Sequence, residues 1–192
     1  MSDVIIREAK LEDVKDLVDI YAYYVEDTAI TFEYEVPSIE NFSERMRHIK
    51  EKYPYFVIEE NGQILGYSYA HEYYGRAAYD WCVEMTIYLR KDAKGRGLGK
   101  LLYTKMEQAL KMMNIKNLYS CIATVNRECP FLTNASVYFH KALGFKKCAQ
   151  FDSCGYKFGQ WFDMIWMVKI IGDHENNPQK VKKFSELIDF DF

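Results

Sequence analysis

The stretch VEMTIYLRKDAKGRGLGKLLYTKMEQAL, Val83–Leu110, changes its hydrophobic period twice. Val83–Leu89 alternates as a strand does, with Val83, Met85, Ile87 and Leu89 on one face and Glu84, Thr86 and Tyr88 on the other. From Leu98 to Met113 the residues Leu98, Leu101, Leu102, Met106, Ala109, Leu110 and Met113 fall on one helical stripe. Between the two lies Lys94-Gly95-Arg96-Gly97-Leu98-Gly99-Lys100, whose alternate glycines let the backbone curl and aim several N–H groups in one direction. The helix that follows adds N–H groups without intrahelical partners and the positive end of its dipole. Strand, anion-receptive turn and helix make a crossover unit, so NLYSCIATV at Asn117–Val125 is the expected parallel neighbour of the first strand.

Upstream, VIIRE at Val4–Glu8 reads as a strand, and Leu11, Val14, Leu17, Val18, Tyr21 and Val25 recur at helical spacing. TAITFEYEVPS has β character, and Ser38 caps a second helix that ends before Pro54. YFVIEENGQILGYSYAHEYY is a hairpin turning at Asn61-Gly62. Downstream, TNASVYFHKAL reads as a short helix stopped by Gly144. FKKCAQFDSCGYKFGQWFDMIWMVKII gives two strands around a turn near Gly155–Gly159. The expected fold is α/β (α+β), a mixed and mostly antiparallel sheet of about six or seven strands with about four helices. Residues 1–171 form one domain, and 172–192 a polar tail that packs as an appendage or stays mobile.

The composition narrows the function classes. A chain of 192 residues suits one well-cored domain. A net charge of -3 gives no electrostatic footprint for nucleic acid. The five cysteines are odd in number and lack a C-x-x-C pair, which argues against a disulfide framework and against zinc, and they read as reduced thiols of a cytoplasmic protein. Acidic residues come too early in MSDVIIREAKLEDV for a signal peptide, and no apolar run approaches the ~20 residues of a membrane span.

The glycine turn fits phosphate. A Walker loop fails on spacing, because Lys100 and Leu101 follow five and six residues after Gly95. A dinucleotide fingerprint fails because Leu102 stands where its third glycine is needed. Taken alone, the turn could also be a glycine-rich helix start. Lys94–Gly99 nevertheless resembles the pyrophosphate signature R/Q-x-x-G-x-G/A of the GNAT superfamily of N-acyltransferases, with lysine in place of the first Arg or Gln. ITFE, GYSYA, RAAYDWCVEMTIYL, NASVYFHKALGF and GYKFGQWFDM look like the phosphinothricin acetyltransferase-like branch, from about Ile5 to Val168.

The resemblance implies a GNAT fold with a V-shaped opening between two central parallel strands and acetyl-CoA as co-substrate, without a metal. It implies direct acetyl transfer to a small-molecule amine, an amino acid or an analogue such as phosphinothricin or methionine sulfoximine, and a homodimer. Backbone groups of Ile87, Tyr88 and Leu89 would hold the pantetheine arm, and Gly95, Arg96, Gly97, Leu98, Gly99 and Lys100 the pyrophosphate. Asn126, Asn134 and Ser136 would add hydrogen bonds, although the run NRECPFLT separates Asn126 from Asn134. Glu84 would be the base that deprotonates the amine; on spacing alone it is equally a solvated strand carboxylate. His140 would be the proton donor to the leaving thiolate, with Tyr138 as second choice and a structural histidine as the alternative. Phe32, Arg76, Tyr79, Trp81 and Thr86 would contact the acceptor, whereas Lys157 and Trp161 read as structural. A non-catalytic acyl-CoA-binding module and a protein N-acetyltransferase are the competing functions.

Overall fold

The structure, a computed structural model, describes residues 4–192. Met1–Asp3, where the segment read against a signal peptide begins, lie outside them. The elements run β1 (Val4–Glu8), α1 (Val14–Glu26), α2 (Ile39–Lys50), β2 (Tyr55–Glu60), β3 (Gln63–Glu72) and β4 (Cys82–Leu89). They continue with α3 (Leu98–Met112), β5 (Asn117–Thr124), α4 (Ala135–Ala142), β6 (Lys146–Lys157) and β7 (Gln160–Ile170).

The seven strands make one sheet in the order β1-β2-β3-β4-β5-β7-β6. Among the described residues only β4 and β5 pair in parallel, as the crossover through α3 requires. Asn61 and Gly62 supply φ angles of 51° and 77° at the β2–β3 turn, the twist that suits a two-residue hairpin. Ser38 caps α2, accepting a hydrogen bond from the Asn41 N–H at 3.2 Å. The expected β character of residues 28–38 is not realised: the segment is an irregular connection between α1 and α2. Its threonines turn inward to local partners, Thr28 donating to the Tyr24 carbonyl at 2.7 Å and Thr31 sharing a 2.8 Å hydrogen bond with the Tyr21 hydroxyl. The last hairpin turns at Phe158 and Gly159, both left-handed, at the far end of the expected Gly155–Gly159 range, so that β6 runs through Lys157.

Alternation along the strands builds a core on each face. On one, Val83, Met85, Leu118 and Ile122 meet Leu98, Leu102, Met106 and Leu110 of α3; each such buried side chain contributes about 1.5–3 kcal/mol. On the other, Tyr55, Val57 and Tyr67 pack against Leu17, Tyr21 and Tyr24 of α1 and Met46 of α2. The tail is part of the first core. Phe184, Phe190 and Phe192 surround Phe56 with ring centroids 5.2–5.6 Å away. Lys182 N–H donates to the Met113 carbonyl and Phe184 N–H to that of Lys52, which fixes the strap to α3 and to the end of α2. No helix among the described residues is long and apolar enough to cross a membrane.

Candidate active site

β4 and β5 pair over only three residues, Cys82–Glu84 against Asn117–Tyr119, and then diverge. The split is the mouth of a cavity of about 240 Å³ walled by Glu84, Thr86 and Ile87 of β4, Ser120 of β5, Tyr103 of α3 and His140 of α4. Ile30, Thr31 and Phe32 of the α1–α2 connection cover it.

Glu84 points into this space. Its side chain is 21% exposed, and its ionisable partner is His71 directly opposite on β3, Nε2 to Oε2 3.6 Å. Burial lifts the carboxyl above its ordinary range, and His71 opposes the lift. An acid so held sheds and takes up a proton closer to neutrality than a surface glutamate does, the property a base needs.

The far wall is polar but neutral. His140 is 3% exposed; its Nδ1 lies 2.8 Å from the Ser136 carbonyl and its Nε2 3.0 Å from the Tyr103 hydroxyl. The carbonyl can only accept, so the ring proton sits on Nδ1 and Nε2 accepts from the phenol. Burial depresses the imidazole to about 4 and raises the Tyr103 phenol well above its usual value. His140 is therefore uncharged near neutral pH, and its single proton is committed to Ser136. Beside it Ser120, buried on β5, also lines the cavity, its hydroxyl adjoining the Tyr103 phenol.

At the start of α3, Gly95 and Gly97 both take φ +79°, and a Cβ on either would meet nothing within 4 Å. Backbone conformation, not crowding, selects glycine at Gly97, the left-handed N-cap of α3. The side chains of the turn point away from it. Arg96 pairs with Glu60 at 2.7 Å, and Lys94 lies 4.8 Å above the rings of Tyr23 and Tyr24. Lys100 is exposed on the first turn of the helix. The turn thus offers an anion its backbone N–H groups and the helix dipole.

Not every residue singled out from the sequence reaches the cavity. Ser136 and Phe32 line it with Glu84, Thr86, Ile87, Tyr88 and His140. Asn134 spends its amide on Val125, accepting from N–H at 3.3 Å and donating to C=O at 2.8 Å, and so ties α4 to the end of β5. Asn126 is exposed in the inserted run, whose Phe131 carbonyl takes the Ala29 N–H and so anchors the cavity's cover. The Leu89 carbonyl accepts from the Tyr24 hydroxyl at 2.6 Å. Arg76 and Tyr79 are exposed beside a short 3₁₀ turn, and Trp81 gives its indole N–H to the Gln179 carbonyl of the tail at 2.8 Å, so these three stand outside the cavity wall. Tyr138, the second choice for an acid, is 68% exposed. Lys157 is buried with its ammonium donating to the carbonyls of Val25, Thr28 and Thr31 at 2.7–2.9 Å, a structural clamp on the cover. Tyr103, Ser120 and His71 were not singled out. Ser120 had a signal: it stands on the buried face of β5 between Leu118 and Ile122, where a lone hydroxyl is out of place.

Residues 6–166 match the acetyltransferase (GNAT) domain family. The phosphinothricin N-acetyltransferase of Streptomyces coelicolor is 33% identical over 169 residues, covering 86% of this chain and 95% of that protein. The L-methionine sulfoximine/L-methionine sulfone acetyltransferase of Salmonella typhimurium is 27% identical over 173 residues, covering 88% and 95%. Among solved structures, a phosphinothricin acetyltransferase of Sinorhizobium meliloti in complex with acetyl-CoA superimposes with a TM-score of 0.84 at 28% identity, covering 92% of this chain and 93% of that one.

Proposed function

The chain belongs to the GNAT acetyltransferase family, and we propose on that premise that it acetylates the amine of a small amino acid or amino-acid analogue of the phosphinothricin or methionine sulfoximine kind. The observation that carries this reading is the half-buried Glu84 in the wall of a covered cavity of about 240 Å³. A space of that size, with Ile30, Thr31 and Phe32 along one side, is scaled to a small amine.

The residues present fit acetyl-CoA. The split between β4 and β5 exposes strand backbone along Ile87 and Tyr88, and the turn Gly95–Lys100 offers a nest for a pyrophosphate. When bound, acetyl-CoA supplies the acyl group activated as a thioester. Glu84 takes the proton that an acceptor ammonium must lose before its nitrogen is nucleophilic. The segment of Ile30, Thr31 and Phe32 excludes water and orients the amine. Tyr103 and His140 present a neutral hydrogen-bonded couple, so no buried charge opposes the sulfur that leaves.

Purified protein mixed with acetyl-CoA and a panel of amino acids, their sulfoximine and phosphinic analogues and lysine peptides is expected to release CoA with members of the small-molecule set. Acetyl-CoA binding by calorimetry with no release across the panel would instead favour an acyl-CoA-binding module, and release confined to the peptides a protein acetyltransferase.

Gly155 tests the cavity cover. A Cβ there would fall 2.2–2.7 Å from the Phe32 ring, so Gly155→Ala must push that ring aside. Such overpacking costs about 1–3 kcal/mol. Steady-state kinetics should show acceptor KM raised about tenfold with acetyl-CoA KM unchanged; an unchanged acceptor KM would remove Phe32 from the acceptor wall.

A further inference from the structure

His71 and Glu84 are cross-strand partners on β3 and β4, on the same face of the sheet. Glu84 faces the covered cavity. His71 lines a second hollow, of about 410 Å³, bounded by Arg45, His48, Lys52, Tyr69 and Glu72 and open to solvent between α2 and β3. The His71 ring is oriented: Nδ1 lies 3.0 Å from the Glu72 carbonyl, which can only accept, so Nδ1 carries a proton and Nε2 faces Glu84. At 3.6 Å, one bridging water or a small side-chain adjustment joins the two.

We propose that His71 is the proton outlet of the base, receiving at Nε2 the proton Glu84 has taken from the acceptor amine and releasing it to water in the second hollow. This rests on Glu84 being the base, as argued above. The N–H bond of the acceptor ammonium breaks and an O–H bond forms on Glu84. That O–H then breaks as an N–H forms on Nε2, and the imidazolium passes the proton to water, so both groups return to their starting states. Nothing is oxidised or reduced, and Nδ1–H stays on the Glu72 carbonyl throughout. An outlet at Nε2 gives the largely buried carboxyl a path for its proton on the side away from the bound acceptor. His71 also acts on the charge of Glu84, since an imidazolium within reach favours the carboxylate. The other titratable groups that sense Glu84 are Tyr69 on β3 and Tyr103 on α3, which burial keeps in their neutral forms, and the exposed Cys121 on β5, whose thiol is likewise pushed up. Arg45, His48, Glu51 and Lys52 of the α2 side and Glu72 of β3 bound the outlet.

His71 acts through Glu84, so its test is a pH profile rather than a rate alone. In His71→Gln and His71→Ala, kcat should fall about tenfold, less than the loss expected for the base itself. The acidic limb of kcat/KM should move to higher pH, and added imidazole should restore turnover to His71→Ala. Profiles superimposable on the wild type, or a loss that imidazole does not relieve with the limb unmoved, would overturn the proposal. Glu84→Gln, measured alongside, separates the two ideas. If it turns over at the wild-type rate, the reading of Glu84 fails. If it is inactive while both His71 variants keep the wild-type profile, only the outlet fails.

Discussion

Glu84→Gln is expected to lower kcat by about 10²–10⁴-fold, the usual worth of a positioned general base, with acetyl-CoA affinity unchanged. Glutamine keeps the length and shape of the side chain and its place opposite His71, so the cavity survives while the proton acceptor is lost. The stability of the same variant tells a base from a structural carboxylate. The folded-state carboxyl is raised above its ordinary value by burial, so the folded protein holds this proton more tightly than the unfolded chain. The ionised group therefore costs stability at pH values above its raised titration point, and that cost fades as the pH falls below the ordinary carboxylate range. Urea unfolding at pH 8 should show Glu84→Gln at least as stable as the wild type, with the advantage shrinking toward pH 4. A variant that is inactive and also clearly less stable at pH 8 would mean that Glu84 holds the fold together, and the catalytic reading would lose its main support.

Much of this site was legible in the sequence, because it depends on short-range chemistry. The anion turn is written in three glycines and a helix start, and Glu84 is marked by strand alternation as the acidic member of a face otherwise made of Cys82, Thr86 and Tyr88. What stayed hidden depends on register. The hairpin joining β2 and β3 is pinned by Asn61-Gly62, but β3 and β4 are joined by an irregular loop, so nothing local says that His71 faces Glu84. The tail was hidden for a related reason. Val181, Phe184, Leu187 and Phe190 are too sparse to show a period, yet they pack against the first core, where Phe184 and Phe190 meet the ring of Phe56. Trp81 misleads in the same way, since its neighbours in the chain place it at an acceptor loop whereas its indole is held by Gln179 of the tail.

The second large effect concerns His140 and is seen in acid. Its imidazole is depressed by burial from 6.5 to about 4, against the smaller opposing pull of the Ser136 carbonyl. The unfolded chain binds this proton at the ordinary value and the folded protein does not, so the stability it contributes is complete above pH 6.5 and drains away as the pH falls toward 4. The gap amounts to roughly 3 kcal/mol in full and about 2 kcal/mol at pH 5, a large share of a domain's net stability. Denaturant unfolding at pH 8 and pH 5 should show His140→Gln less stable than the wild type at pH 8, for want of its packing and its hydrogen bond to Tyr103. The difference should close by about 2 kcal/mol at pH 5; parallel losses would place the ring in contact with water. The same geometry fixes what His140 contributes to turnover. A ring that is neutral across the physiological range, with its proton on Nδ1 against Ser136 and its Nε2 accepting from Tyr103, carries no spare proton to give. The alkaline limb of the kcat profile should therefore keep its position in His140→Gln even though kcat falls. A limb that moved would return to His140 the role of proton donor and require the ring to charge inside a wall that burial holds neutral.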